Sequence, residues 1–211
     1  MSDASPILVF GGTFDPPHRA HVELPRLVAR QLGCRRIIYV PAAINPLKQG
    51  GPSPTSAAHR LAMLRLALRD VPEAEISTVE IDRPPPSYTV DTLRELRRQV
   101  GPDAKLLLLI GADAAASFHR WRDPAGIESL AEPVVMLRPP WTRESFIEHI
   151  RREQGEAAAM KWATRIIETP QLDVSATNLR AGAAHGTIAA DEVDPRVLTY
   201  IREHGLYCSK P

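Results

Sequence analysis

The chain has 211 residues, 44% of them hydrophobic and 24% charged, and a formal net charge of +1. That length supports one sizeable core, and that composition excludes a disordered chain. The balanced charge excludes a bulk field that would draw nucleic acid or a membrane surface, so an anionic substrate has to be met by local charges.

In chain order, residues 7–10 are predicted to form a buried strand that ends at Gly11-Gly12. The residues before it carry an acid and no basic n-region, and are not expected to be a secretory signal. Pro25 falls inside the first predicted helix and is expected to kink or delay it. Residues 37–40 form a second strand, stopped by Pro41. Residues 45–54, rich in proline and glycine around Lys48, read as an irregular loop. A helix follows with Ala57, Leu61, Leu64 and Leu68 as its apolar stripe and Thr55 and Ser56 as caps.

Residues 76–81 are the third predicted strand, and residues 83–88, with Pro84-Pro85-Pro86, a second irregular loop. Residues 90–100 are helical, with Val90, Leu93, Leu96 and Val100 on one side. Residues 106–110 are the longest apolar run, closed by Gly111 and far too short to span a bilayer. Residues 133–137 and 165–167 complete the strands. From Gln171 the chain reads as mostly helical, and its last helix, residues 196–204, is entered through Pro195 and stopped by Gly205. Strands apolar on both faces, alternating with helices, predict a Rossmann-like, doubly wound α/β fold. Residues 1–211 are expected to be a single domain, with residues 171–211 as a mostly helical C-terminal cap beside the parallel sheet.

Cys34 and Cys208 fit no metal-ligand spacing and read as unpaired thiols in a reducing cytosol. Chemistry concentrates after the first strand, in Gly11-Gly12-Thr13-Phe14-Asp15-Pro16-Pro17-His18-Arg19-Ala20-His21. Ligands of open parallel sheets bind beyond the carboxyl ends of the strands, and glycines there let phosphate approach backbone N–H groups. The run is neither the dinucleotide glycine pattern nor a P-loop. It offers two histidines three residues apart, one face of a helix, suited to phosphate or metal with no third metal ligand nearby. Near the other end, Val174-Ser175-Ala176-Thr177-Asn178-Leu179-Arg180 places hydroxyls at a helix start and an arginine one turn in, the makings of a phosphate cradle.

The first run resembles the Gly-Gly-Thr-Phe-Asp-Pro-x-His-x-x-His loop of the nucleotidylyltransferase superfamily, and the second its Ile-Ser-Ser-Thr-x-Ile-Arg. Ser87-Tyr88-Thr89-Val90-Asp91-Thr92-Leu93, Ile110-Gly111-Ala112-Asp113 followed by Trp121, and Arg138-Pro139 are similar to segments of bacterial nicotinate-nucleotide adenylyltransferases. The resemblance runs from Ile7 to about Tyr207. It departs at Ala20, where the family has glycine, at Leu47, where it has histidine, and at Pro84-Pro85-Pro86, where its turn is richer in glycine.

This resemblance implies transfer of the adenylyl group of ATP to nicotinate mononucleotide in the cytoplasm, with Mg²⁺ carried by ATP. His18, His21 and Arg180 are the implied catalytic residues. Gly11, Gly12, Thr13, Phe14, Lys48, Arg138, Ser175 and Thr177 are implied to bind ATP. Asp15, Thr89, Asp113 and Trp121 are implied to hold the mononucleotide, the Trp121 indole by stacking. No resident metal, nucleic acid or membrane is implied, and homo-oligomerisation is left open. The alternatives are the same transfer to nicotinamide mononucleotide and a non-catalytic nucleotide-binding protein of the same fold.

Overall fold

The computed structural model describes residues 5–43, 55–172, 174–185, 187–189 and 191–208. Six parallel strands form one sheet in the order β3-β2-β1-β4-β5-β6. They are β1 (Ile7–Gly12), β2 (Arg36–Pro41), β3 (Ala74–Ile76), β4 (Leu106–Gly111), β5 (Glu132–Met136) and β6 (Ile166–Ile167). The helices among the described residues are α1 (Arg19–Gln31), α2 (Ala57–Ala67), α3 (Thr89–Val100), α4 (Ala112–Ala116), α5 (Pro124–Leu130), α6 (Arg143–Gln154), α7 (Glu156–Ala163), α8 (Ala176–His185) and α9 (Pro195–Glu203). This is the doubly wound fold that the alternation of elements predicts, with the order reversing between β1 and β4.

The period-two geometry of the strands divides the core into two layers. Val9, Ile38, Val40, Leu108 and Ile110 face one side and pack with α3 and α6. Leu8, Phe10, Ile37, Tyr39, Leu107 and Leu109 face the other and pack with α1 and α2. A third cluster joins Met63 and Ala67 of α2 to Leu179 of α8 and to Val197, Leu198 and Ile201 of α9.

Three local expectations need correction. The third strand is Ala74–Ile76, and residues 77–81 are not strand. The Thr78 hydroxyl bonds to the Asp82 carboxylate at 2.6 Å and the Asp82 N–H to the Thr78 carbonyl at 2.9 Å, so the chain turns there and sends Glu80 inward. The apolar stripe of α2 is also different. Its buried residues are Arg60, Met63, Leu64 and Ala67, because the helix lies between the sheet and α9 and needs two apolar faces. Finally, Pro25 does not delay α1, which runs unbroken from Arg19 to Gln31. The cap Ser56 does accept from the His59 N–H, at 3.4 Å, and Pro195 opens α9 behind the N-cap Asp194. Among the described residues, no helix is long and apolar enough to cross a membrane.

Arg60 is 1% exposed, the least expected member of the core. Its guanidinium donates to the carbonyls of Thr55 (2.9 Å), Thr13 (2.7 Å) and Ala43 (3.3 Å). Burial holds its pKa below the usual arginine range, and the nearby Asp15 charge works in the opposite direction. Removing a buried, compensated charge strands its partners. Arg60→Ala is expected to lower the unfolding free energy by about 3–5 kcal/mol in denaturant titrations, and a loss below about 1 kcal/mol contradicts this role.

Candidate functional site

At the carboxyl end of β1 the chain makes a tight passage. Phe14 takes a left-handed φ of 52°, and its ring lies beneath Gly12, where an added Cβ would come within 2.9 Å of ring carbons. Gly12 is therefore dictated by a close approach, whereas a Cβ at Gly11 would make only ordinary contact, 3.9 Å from the Val40 carbonyl oxygen. Asp15 is 6% exposed. Its carboxylate accepts from the Tyr207 hydroxyl at 2.6 Å and the Thr55 N–H at 3.0 Å, and its carbonyl from Arg180 Nη1 at 2.8 Å. The two motifs, 165 positions apart, thus meet in one hydrogen bond.

Helix α1 starts behind this turn with His18 as its N-cap. The His18 and His21 rings stack at 3.7 Å, and the edge of His21 meets Phe14 at 5.1 Å. His21 Nδ1 accepts from the His18 backbone N–H at 3.3 Å, which assigns the proton of a neutral His21 to Nε2 and makes that atom a donor. His18 is 8% exposed, and its Nδ1 has no hydrogen-bond partner among the described residues. Burial, helped by the charge of Arg138, pulls its pKa down to about 4, so the ring is neutral at physiological pH.

Asp113, just beyond β4, grips Arg138, just beyond β5. Its carboxylate takes Arg138 Nη2 at 2.6 Å and Nε at 3.0 Å, and the Trp141 indole N–H at 2.7 Å. Burial raises the Asp113 carboxyl, but these bonds and the Arg138 charge together hold it below the usual aspartate range. On the other flank, Thr177 and Arg180 share a face of α8, with Arg180 Nη2 donating to the Thr177 hydroxyl at 3.3 Å. Ser175 immediately precedes that helix.

Between these flanks a cavity of about 270 Å³ opens over the ends of β1 and β4. Gly11, Gly12, Thr89 and Trp121 are in its wall, as are Glu80 and Arg122. The Trp121 indole N–H is shut off from solvent and has no partner among the described residues. Burial pushes the Glu80 carboxyl up, against the Thr92 hydroxyl that donates to it at 2.6 Å and the charge of Arg83.

Of the sequence-predicted site residues, Gly11, Gly12, Thr89 and Trp121 come together on the cavity. Thr13, Phe14, His18, His21, Arg138, Asp113, Thr177 and Arg180 are not in its wall, and His18, Arg138 and Asp113 form a linked group beside it. Asp15 does not face the cavity, since both carboxylate oxygens are taken by Thr55 and Tyr207. Lys48 and Leu47 lie outside the described residues. Sequence reasoning missed Arg60, Tyr207 and Trp141, which hold these residues. It also passed over Glu80 and Arg122, the latter next to Trp121. Among the described residues, no three His, Cys, Asp or Glu side chains converge as metal ligands.

The His18 shift has a stability consequence. In the unfolded chain histidine takes up a proton near its ordinary 6.5, and in the folded chain near 4. Between those values the unfolded state binds more protons, so stability falls as pH falls from 6.5 to about 4, with a total of about 3 kcal/mol. His18→Gln is expected to flatten that part of the stability–pH curve relative to the native chain. Parallel curves for the two proteins contradict the buried, neutral ring.

The cytidylyltransferase-like family matches residues 9–182. A relative from Roseiflexus sp. (strain RS-1), "Probable nicotinate-nucleotide adenylyltransferase", is 41% identical over 98% of this chain and 100% of its own. One of the same name from Chromobacterium violaceum is 37% identical over 94% and 97%. Among solved structures, the Plasmodium falciparum nicotinic acid mononucleotide adenylyltransferase complexed with NaAD shares the fold at a TM-score of 0.71, with 16% identity and coverage of 96% and 97%. With its glycine turn, paired histidines and cradle arginine joined at Asp15, the chain belongs to the cytidylyltransferase-like family, among the nicotinate-nucleotide adenylyltransferases.

Proposed function

We propose that this enzyme transfers the adenylyl group of ATP to nicotinate mononucleotide, giving deamido-NAD and pyrophosphate in NAD biosynthesis. The observation that carries this reading is the 2.8 Å bond from Arg180 to the Asp15 carbonyl, which holds the Ser175–Arg180 cradle against the histidine turn. The names of the full-length relatives support the choice of substrates.

The 5′-phosphate of the mononucleotide is the nucleophile. Its second pKa is about 6, so it is ionised at neutral pH and needs no general base. An oxygen of that phosphate bonds to the α-phosphorus of ATP as the bond to the bridging oxygen breaks in line, and pyrophosphate leaves with the electron pair. Positioning and charge neutralisation therefore carry the catalysis. In this reading His21 donates from Nε2 to the α-phosphate, and neutral His18 donates beside it. Arg180 keeps N–H groups for the leaving pyrophosphate after meeting Asp15 and Thr177, and Arg138 keeps one end of its guanidinium after meeting Asp113. Gly11 and Gly12 let phosphate approach the backbone, with Thr13, Phe14, Lys48, Ser175 and Thr177 completing the ATP side. Thr89 and Trp121 take the pyridine ring, Asp113 orients the substrate through Arg138, and Asp15 acts by holding the turn.

Mg²⁺ reaches this site with ATP. The donor set fits that mode, because the carboxylates of Asp15 and Asp113 are already engaged by Tyr207, Thr55, Arg138 and Trp141 and the ion keeps phosphate and water ligands. The ion offsets charge on the triphosphate. We place the reaction in the cytoplasm, consistent with two free thiols, Cys34 and Cys208.

Pyrophosphate release from ATP is expected with nicotinate mononucleotide, with a higher kcat/KM than for the amide. Equal values, or an amide preference, reject the acceptor. His21→Ala is expected to cut kcat by about 10²–10³ with a much smaller effect on ground-state binding, measured by steady-state kinetics and ATP-analogue titration. Retained turnover in a folded variant removes His21 from the reacting phosphate.

A further inference from the structure

The cavity that takes the pyridine ring carries an uneven set of charges. Its one described acid, Glu80, is buried, bonded to Thr92 and pushed by burial toward its neutral form. Nearby Arg83 is committed, donating to the Tyr88 carbonyl at 3.0 Å and to the Thr92 hydroxyl at 2.8 Å. The cavity wall also holds Arg120 and Arg122, on either side of Trp121, and neither has an ion pair among the described residues.

The two differ in how they are held. The Arg122 guanidinium carbon sits 4.6 Å from the centroid of the Tyr88 ring. A cation over an aromatic face is attracted by the ring quadrupole and keeps its N–H edge available. Tyr88 is the N-cap of α3 and immediately precedes Thr89, so this contact fixes a guanidinium beside the ring slot between Thr89 and Trp121. The positive end of the α3 dipole lies on the same side. Arg120 has no such clamp among the described contacts.

We infer that Arg122, clamped on Tyr88, is the specificity-determining residue that favours a carboxylate over a carboxamide on the pyridine ring. The inference rests on the adenylyl-transfer reading above and adds to it the group that reads the ring substituent. The planar fork pairs with both oxygens and the full charge of the nicotinate carboxylate, whereas a carboxamide offers it one neutral acceptor oxygen and an NH2 group that cannot accept. Selection then comes from this chain's side chain at one position.

The test is the ratio of kcat/KM for nicotinate mononucleotide to that for nicotinamide mononucleotide, measured as pyrophosphate release. It is compared in the native chain and in Arg122→Gln, Arg122→Lys and Arg120→Gln. A charge-assisted hydrogen bond predicts a fall of about tenfold or more in the ratio for Arg122→Gln, with Arg122→Lys between it and the native chain. Arg120→Gln is expected to keep the native ratio. A purely structural role would lower both acceptors together, so an unchanged ratio in Arg122→Gln overturns the inference even if activity falls. So does a ratio that responds to Arg120 rather than Arg122. Isothermal titration of each mononucleotide gives the same comparison for binding, and keeps the test open if a variant turns over slowly. A native chain that uses neither mononucleotide rejects the adenylyl-transfer reading and this inference with it. One that uses both equally rejects the acid preference, and with it the role of Arg122.

Discussion

Everything at the carboxyl edge of the sheet hangs on two buried charges of opposite sign, Asp15 and Arg60. They do not form a direct ion pair among the described contacts, yet the charge of Asp15 acts on Arg60 across the turn, against the effect of burial. Asp15 collects donors from three distant places, Thr55, Arg180 and Tyr207. Arg60 collects the carbonyls of Thr13, Ala43 and Thr55. Buried charges survive only when satisfied in this way, so the two networks leave little freedom to the backbone between them. That backbone includes the left-handed Phe14 and leads directly into the His18–His21 turn of α1. The geometry of the His18–His21 turn is therefore set by residues outside it.

The topology explains why this edge is where a ligand goes. β1 and β4 are neighbours, but the chain leaves them toward opposite faces, and the gap that results is the cavity. On one side of Gly11-Gly12 the wall joins Trp121 and aliphatic side chains to Glu80, Arg120 and Arg122. On the other are imidazoles and guanidiniums, suited to phosphates. Arg138 links the two ends of the charged side. It is fixed by Asp113, and its charge adds to the burial that keeps His18 from becoming a second cation. A neutral imidazole can donate a hydrogen bond without giving up a proton.

Much of this was legible in the sequence, and the boundary falls along a physical line. Strands β1, β2 and β4 are aliphatic on both faces and end in glycine or proline, so their period and stops were readable. The glycine turn and the Ser-x-Thr-x-x-Arg helix start stood out by residue type, glycines after a strand and hydroxyls before an arginine. What was not readable depends on contacts distant in sequence. Nothing local marks Arg60 as buried among aliphatic residues, and helix α2 hides its stripe by serving two cores. Asp15 looked like a ligand group from its motif, and only the arrival of Tyr207 from the far end of the chain makes it a tether. Strand β3 was placed too late because Ile76 and Ile81 bracket a turn closed by Thr78 and Asp82.

The unsatisfied atoms follow the same division. Among the described residues, Thr13 Oγ1, His18 Nδ1, Ser87 Oγ and Trp121 Nε1 are buried without a partner, and all four belong to segments that meet at the edge of the sheet. Each such atom costs about 1–3 kcal/mol relative to one that is bonded. Tyr39, whose hydroxyl is also unpartnered, lies within β2 in the core and shows that burial alone produces some of these. The grouping of the other four is different in kind. The packing around Phe14, Phe118 and the α1 start tolerates polar atoms that water does not reach, held in place before any substrate arrives. Donors and acceptors fixed in this way need no reorganisation when charge develops, and the stability they forgo is the counterpart of that preorganisation.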